Sequence, residues 1–272
     1  DLIEVGDPYL TAWAALGARR RLDVPVIGFY HSDLPLLVGN RMGHWFTPNV
    51  EAYVSKLYGN FDRVLAPSQV MAHKLRSLGV GNVHVQRLGV DLVTFNPQHR
   101  DPNLRAELGL ADDTRLLVFA GRGSREKNLP VLLDCIQRLG KPYHLLLVGS
   151  HMPANVPANV TVFDSFRPAS EVARLLASAD LLVHAGDQET FGLVILEAMA
   201  SAIPVVAVAA GAFTEIVEPA CGQLCAPGSG EDMANAVRDL FQGDIRALGE
   251  QARRHVEQNY SLGSGGRGPR AH

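Results

Sequence analysis

Cysteine is scarce in this chain of 272 residues, and its three thiols, Cys135, Cys221 and Cys225, are an odd number. An odd count argues against a disulfide framework and suits a reducing compartment, so the cytoplasm is the expected location. Cys221 and Cys225 have no nearby His pair, so they read as a short loop that holds no metal. No apolar run reaches the length of a membrane span. The opening Asp1-Leu2-Ile3-Glu4-Val5 has neither a starting Met nor a basic-then-apolar leader, and the expectation is that a segment upstream is missing. Charge of one sign is absent as well. Residues 1–110 hold 11 Lys and Arg against 10 Asp and Glu, and residues 111–272 hold 14 against 18, for a formal net charge of -3. Neither half offers the positive field that a phosphate backbone requires, so no nucleic-acid partner is expected.

What is present is enough for a core: 47% hydrophobic residues against 19% charged ones. The length suggests roughly two domains of about 130 residues each. Short apolar runs alternate with amphipathic stretches, the rhythm of βαβ units with parallel sheets. The first half reads as strands at Leu2–Val5, Val26–Tyr30, Arg63–Ala66 and Val83–Leu88, with helices near Pro8–Arg20, Pro48–Tyr58 and Ser68–Leu78. The second reads as strands at Arg115–Ala120, His144–Val148, Val160–Phe163, Asp180–His184 and Val205–Val208. The polar stretch from Phe95 to Pro102 carries two prolines and separates the two rhythms. The expected fold class is α/β, with two Rossmann-like doubly wound domains at 1–100 and 101–260 facing a cleft, the first of them incomplete. The Gly-rich end, 261–272, is expected to be a disordered tail.

Three stretches could carry chemistry. In the first, a strand ends near His184, a loop holding Glu189 follows, and an apolar helix opens at about Phe191-Gly192 and contains Glu197. Loop ends of parallel strands are where open α/β sheets bind ligands, and the unpaired amides of a helix start receive oxyanions. Two carboxylates there can face different ends of a polyhydroxylated ligand, although an ordinary solvated loop glutamate and one capped by a neighbouring helix account for the same letters. The second stretch, Gly121-Arg122-Gly123-Ser124-Arg125-Glu126-Lys127-Asn128, also joins a strand to a helix. Arg122 offers a planar fork and Lys127 a point charge, which suits a diphosphate. It matches neither a Walker A loop nor the three-glycine dinucleotide fingerprint, which disfavours a nicotinamide oxidoreductase. The third, Tyr30-His31-Ser32-Asp33, ends a first-half strand and sets His31 where it could meet a sugar hydroxyl.

In this order, the chain resembles the family 4 retaining glycosyltransferases of the GT-B architecture over about residues 1–260. The segments that carry the resemblance are Tyr30 to Asp33, Arg87 to Phe95, Gly121 to Asn128, Glu189 to Glu197 with Phe191-Gly192-Leu193, the following Ala198-Met199-Ala200-Ser201, and Pro204-Val205-Val206. Lipid-directed mannosyl-, sulfoquinovosyl- and glucosyltransferases are the subgroup it looks most like. The resemblance implies transfer of a hexose from a nucleotide diphosphate sugar, GDP-mannose or UDP-glucose in kind, to an acceptor hydroxyl with retention of configuration. It implies that Arg122 and Lys127 bind the diphosphate, Glu189 with the amides at Phe191, Gly192 and Leu193 holds the sugar, and Glu197 the ribose. His31 meets the sugar's far hydroxyl, so His31 and Glu189 are the catalytic candidates. No metal and no cofactor beyond the donor itself are expected. The acceptor is a lipid or a saccharide, and with a lipid comes peripheral contact at the inner face of the membrane. The alternative is a truncated nucleotide-sugar-binding chain of weak activity. A nucleotide-sugar epimerase of the same architecture stays open on fold alone.

Overall fold

The computed structural model describes residues 1–262, so most of the expected tail lies outside the described residues. The described chain forms two compact units, one of residues 1–87 with Gln188–Phe191, the other of Leu88–Asp187 with Gly192 onward.

The first unit runs β1 (Ile3–Val5), α1 (Leu10–Leu22), β2 (Val26–Phe29), α2 (Leu34–Met42), α3 (Thr47–Tyr58), β3 (Arg63–Ala66), α4 (Gln69–Ser77) and β4 (Val83–Val85). All strand pairings in it are parallel, and the order β1-β2-β3-β4 is sequential, so its crossovers wind one way. Its core gathers Val26, Tyr30, Leu57, Val64 and Leu75, all fully buried. Burial of each such side chain contributes about 1.5 to 3 kcal/mol. Helix α2 is absent from the sequence reading. Asp33 starts it by accepting the Leu36 amide at 3.3 Å, and Pro35 fills the first turn.

The second unit runs α5 (Leu104–Glu107), β5 (Arg115–Ala120), α6 (Leu129–Leu139), β6 (Tyr143–Gly149), β7 (Val160–Asp164), α7 (Ala169–Ser178), β8 (Leu181–His184), α8 (Leu193–Ala200), β9 (Val205–Val208), α9 (Phe213–Ile216), β10 (Gly222–Cys225), α10 (Gly230–Leu240) and α11 (Ile245–Asn259). Its parallel sheet has the order β10-β9-β8-β5-β6-β7. The chain winds outward from β5 through β7, then crosses to the other side of β5 and winds outward again. This reversal makes β5 and β8 neighbours at a topological switch point, with crevices opening at their carboxyl ends. Strands β5, β8 and β9 are buried along almost their whole length, which is why they read as unbroken apolar runs.

Two expectations change. Cys221 stays in a turn, but Cys225 ends a strand: β10 pairs in parallel with β9, and its sequence Gly-Gln-Leu-Cys has too little apolar content to read as a strand. Burial pushes both thiols up to about 11. The polar stretch after Leu88 is not a free connector. Val90 donates its amide to the Tyr260 carbonyl at 2.8 Å, Arg253 reaches the Phe95 carbonyl at 3.0 Å, and Arg174 pairs with Asp101 at 2.5 Å. These bonds group residues 88–100 with the second unit, so the units divide ahead of 100/101.

Candidate functional site

In the second unit, the two loops that sequence singles out leave the sheet side by side. The Gly121–Asn128 loop follows β5, and the loop toward α8 follows β8, so the switch point brings both to one crevice. Gly186 marks the contact: a β-carbon there would sit 2.9 Å from the Glu126 carbonyl oxygen and 3.3 Å from Lys127 Cα. A third loop, after β6, closes against the first. Gly123 donates its amide to the Ser150 carbonyl at 2.8 Å, and a β-carbon on Gly123 would lie 2.1 Å from the His151 carbonyl oxygen. Any side chain at 123 would push these strand ends apart.

The Gly121–Asn128 loop holds its charges in a defined order. A 3-10 turn covers Arg125–Lys127, and Asn128 takes a left-handed conformation (φ 52°) before α6 begins. Arg122 is exposed and Lys127 half-buried. Glu126, which sequence reasoning left without a role, balances them. Burial alone would raise its carboxyl, but the Ser124 hydroxyl, its own amide and the Lys127 and Arg122 charges outweigh that and hold it below the usual glutamate range. Ser124 donates directly to Glu126 Oε1.

Behind this loop stands His184, fully buried at the end of β8. Its Nδ1 accepts the Gly186 amide at 3.1 Å, which places the neutral ring's proton on Nε2. Burial, with Lys127 nearby, depresses its pKa to about 3, so the ring is neutral at physiological pH and packs against Phe119 and Phe213.

Helix α8 starts one residue after Gly192, which has φ +86° and no side-chain cap. The Ile195 amide turns back to the Gly192 carbonyl at 3.0 Å, and no side chain caps the turn before it. The helix is apolar on nearly every face, with Ile195, Leu196, Ala198, Met199 and Ala200 buried. Glu197 belongs to that helix, and burial pushes its carboxyl up to about 7. Leu193 is exposed and Gly192 buried.

In the first unit, His31 follows β2. Its ring lies against Gly6, where a β-carbon would approach His31 Cε1 at 3.7 Å, and stacks on Phe29 at 6.1 Å between centroids. The segment Gln188–Phe191 groups with this unit, and Thr190, the chain neighbour of Glu189, donates its hydroxyl to the His31 carbonyl at 2.9 Å. Phe191 is buried. Asp7, after β1, is a residue the sequence reading missed. Thr11 Oγ1 lies 2.6 and 2.5 Å from its two oxygens, and the Tyr9 amide donates at 2.9 Å. The Thr11 hydroxyl first, then the Tyr9 amide, hold its carboxyl below the usual range, and His31 adds to this. The Asp7-Pro8 pair directly after a strand was the available signal. Arg122, Lys127, Gly192, Leu193 and Glu197 are thus gathered around the second sheet, and His31, Glu189 and Phe191 in the first unit.

At the switch point a cationic glycine loop thus lies beside the loop that leads to α8, within a doubly wound α/β sheet. The chain belongs to the glycosyl transferases group 1 family, which matches residues 100–261, and residues 1–94 match glycosyltransferase family 4. It is similar to the sulfoquinovosyl transferase of Arabidopsis thaliana, with 29% identity over 279 residues covering 95% of this chain and 53% of that protein. A GDP-mannose-dependent alpha-mannosyltransferase of Mycobacterium tuberculosis is 31% identical over 224 residues, covering 80% of this chain and 58% of its own. The chain therefore spans little more than half the length of these curated relatives. Among solved structures, sucrose-phosphate synthase from Thermosynechococcus elongatus superposes with a TM-score of 0.81 at 24% identity, covering 96% of this chain and 69% of that one. Anabaena HepE in complex with UDP-glucose gives 0.81 at 22% identity, covering 96% and 75%. Both share the α/β fold with two parallel sheets, the GT-B architecture.

Proposed function

We propose that this chain binds a nucleotide diphosphate sugar and serves the transfer of its hexose to an acceptor hydroxyl, with retention of the anomeric configuration. The observation that carries this is the switch point at β5 and β8, which sets the Arg122–Lys127 loop beside the loop leading to α8. Support comes from relatives that are, by name, GDP-mannose-dependent mannosyltransferases and a sulfoquinovosyl transferase.

In this reaction the bond between the anomeric carbon and the diphosphate oxygen breaks, a bond to the acceptor oxygen forms, and the acceptor's proton passes to the departing diphosphate or to solvent. Negative charge grows on the leaving diphosphate. Arg122 and Lys127 neutralise it, the first as a planar fork and the second as a point charge, so a divalent cation is not required in that role. Ser124 holds Glu126 as their local countercharge, which keeps the pair from repelling one another before the donor arrives. The amides at Phe191, Gly192 and Leu193 and the Glu189 carboxylate hold sugar hydroxyls. Glu197 accepts from the ribose hydroxyls once ionised, and His31 meets the sugar's far hydroxyl. The acceptor is a lipid or a saccharide; a lipid acceptor entails peripheral contact with a membrane. Among the described residues no helix is long and apolar enough to cross one.

The test is calorimetry with GDP, UDP, GDP-mannose and UDP-glucose, followed by a transfer assay that reads the product's anomeric configuration. Binding of one nucleotide sugar more tightly than its free nucleotide supports the donor assignment. Binding without transfer would leave a nucleotide-sugar-binding chain, and no binding of any of the four would overturn the proposal.

A further inference from the structure

The Glu189 loop carries a hydrogen-bonded clasp that none of the roles above uses. Thr190 Oγ1 donates to the His31 carbonyl at 2.9 Å, and the Thr190 carbonyl accepts from Ser68 Oγ at 3.0 Å. All three residues belong to the first unit. Ser68 is 2% exposed and caps α4, where its Oγ also accepts the Met71 amide at 3.2 Å. Its one hydroxyl proton is thereby committed to Thr190. The clasp thus runs from a buried helix cap, through a single residue of the loop, to the backbone of the strand end that bears the candidate imidazole.

The position of Thr190 gives the clasp its consequence. Its chain neighbour is Glu189, and its hydroxyl is bonded to His31, so one side chain fixes the spacing of the two groups proposed to face the donor sugar. Two contacts carried on separate loops must otherwise be aligned when the ligand binds, at a cost in conformational entropy. A hydrogen bond already made in the fold moves that cost away from the binding step. The Ser68 bond holds the Thr190 backbone, which leaves the hydroxyl to set the register with His31. Phe29 stacks on the His31 ring from another direction, so the carbonyl is where the loop can act on it.

We infer that Thr190 is a positioning residue, which sets Glu189 against His31 before any ligand arrives and thereby favours a nucleotide sugar over the bare nucleotide. The assignment of Glu189 and His31 to the sugar rests on the function proposed above. Thr190→Val keeps the shape and removes the hydroxyl, and Thr190→Ser keeps the hydroxyl. By calorimetry on the full chain, Thr190→Val should bind the preferred one of GDP-mannose and UDP-glucose about three- to ten-fold more weakly, the range for one lost neutral hydrogen bond. It should bind the matching free GDP or UDP as the wild type does, and Thr190→Ser should restore the sugar preference. Equal losses for sugar and free nucleotide, an unaffected Thr190→Val, or an equal defect in Thr190→Ser would each overturn the inference. Should the wild type bind none of the four, the proposed function falls, and the clasp is judged without ligand. Hydrogen exchange across residues 187–192 should then be faster in Thr190→Val and unchanged in Thr190→Ser, and equal exchange in all three proteins would overturn it.

Discussion

Gly192 sits so close to Phe213 that a β-carbon on it would lie 2.4 Å from the Phe213 ring carbon Cε1. The same glycine has φ +86°, in the left-handed region that L side chains avoid. Both constraints fall on the residue that opens α8, so the helix start is shaped by what is missing from its first position. Gly192→Ala should combine the backbone cost with overpacking, for a loss of about 2 to 5 kcal/mol. Urea denaturation measures it. Adding Phe213→Leu should recover part of the packing loss and none of the backbone part, so a single variant as stable as the wild type would refute both.

Glu197 ties stability and binding to pH in opposite senses. Burial lifts its folded pKa from 4.5 to about 7, so between these values the folded chain keeps a proton that the unfolded chain has released. The stability this contributes is complete below about pH 4.5 and is lost as pH rises through about 7. Glu197→Gln should flatten that part of the profile. The ribose role proposed for Glu197 needs the ionised carboxylate, so affinity for free GDP or UDP should climb as pH passes through about 7, and the climb should vanish in Glu197→Gln. At pH 8, Glu197→Ala should weaken free nucleotide and nucleotide sugar alike by about 1.5 to 3 kcal/mol, as for a lost charged hydrogen bond. Glu189→Ala should spare the free nucleotide and weaken the sugar-bearing donor, and equal losses for both ligands would sink the split of roles.

How far sequence carries can be judged from these same residues. Strands β3, β5 and β9 are legible to the residue, because buried parallel strands are runs of Val, Leu and Ala with nothing else to be. Strand β10 is not, since its Gly222 and Gln223 dilute the pattern, and its place is decided by pairing with β9. Helix α2 hides for a similar reason: Pro35 and Gly39 read as breakers, and the Asp33 cap is visible only once the fold supplies Lys74 beside it. In the site, glycines and charges at strand ends announce themselves through spacing. Ser68 is legible as the start of α4, but its bond to Thr190 is not, because that partner lies far along the chain. Glu126 was in plain view within a cationic loop, yet only the Ser124 contact shows it turned inward as a countercharge.

The charge neutralisation proposed for Arg122 and Lys127 predicts donor binding that is indifferent to chelation. Arg122→Ala or Lys127→Ala should each weaken binding of GDP or UDP by about 1.5 to 3 kcal/mol, the range for hydrogen bonds to charged groups. Because Arg122 is exposed, its share should shrink as salt is added. Calorimetry in the presence of a chelator, then with excess magnesium, is the direct measurement. Binding that disappears with chelator and returns with magnesium would show that the countercharge is not carried by these two side chains.

Asp33 is 5% exposed, and Lys74 Nζ lies 2.7 and 2.6 Å from its two oxygens. The same carboxylate caps α2 through the Leu36 amide, and the Tyr30 hydroxyl stands 3.5 Å away. Burial first, and then the Asp33 charge, push Tyr30 well above the ordinary tyrosine range, so it remains a donor at every physiological pH. Removing the cation alone leaves a buried carboxylate without its counterion, and that loss exceeds what the pair itself contributes, because the desolvation of Asp33 is no longer offset. Lys74→Met should therefore destabilise the chain by about 3 to 5 kcal/mol. Replacing both partners should be milder. Asn at 33 can still accept the Leu36 amide and carries no charge, so Asp33→Asn with Lys74→Met should recover a large part of the loss. Thermal and urea unfolding of the two single variants and the double variant close the cycle, and a double variant less stable than Lys74→Met alone would show that Asp33 contributes through something other than its buried charge.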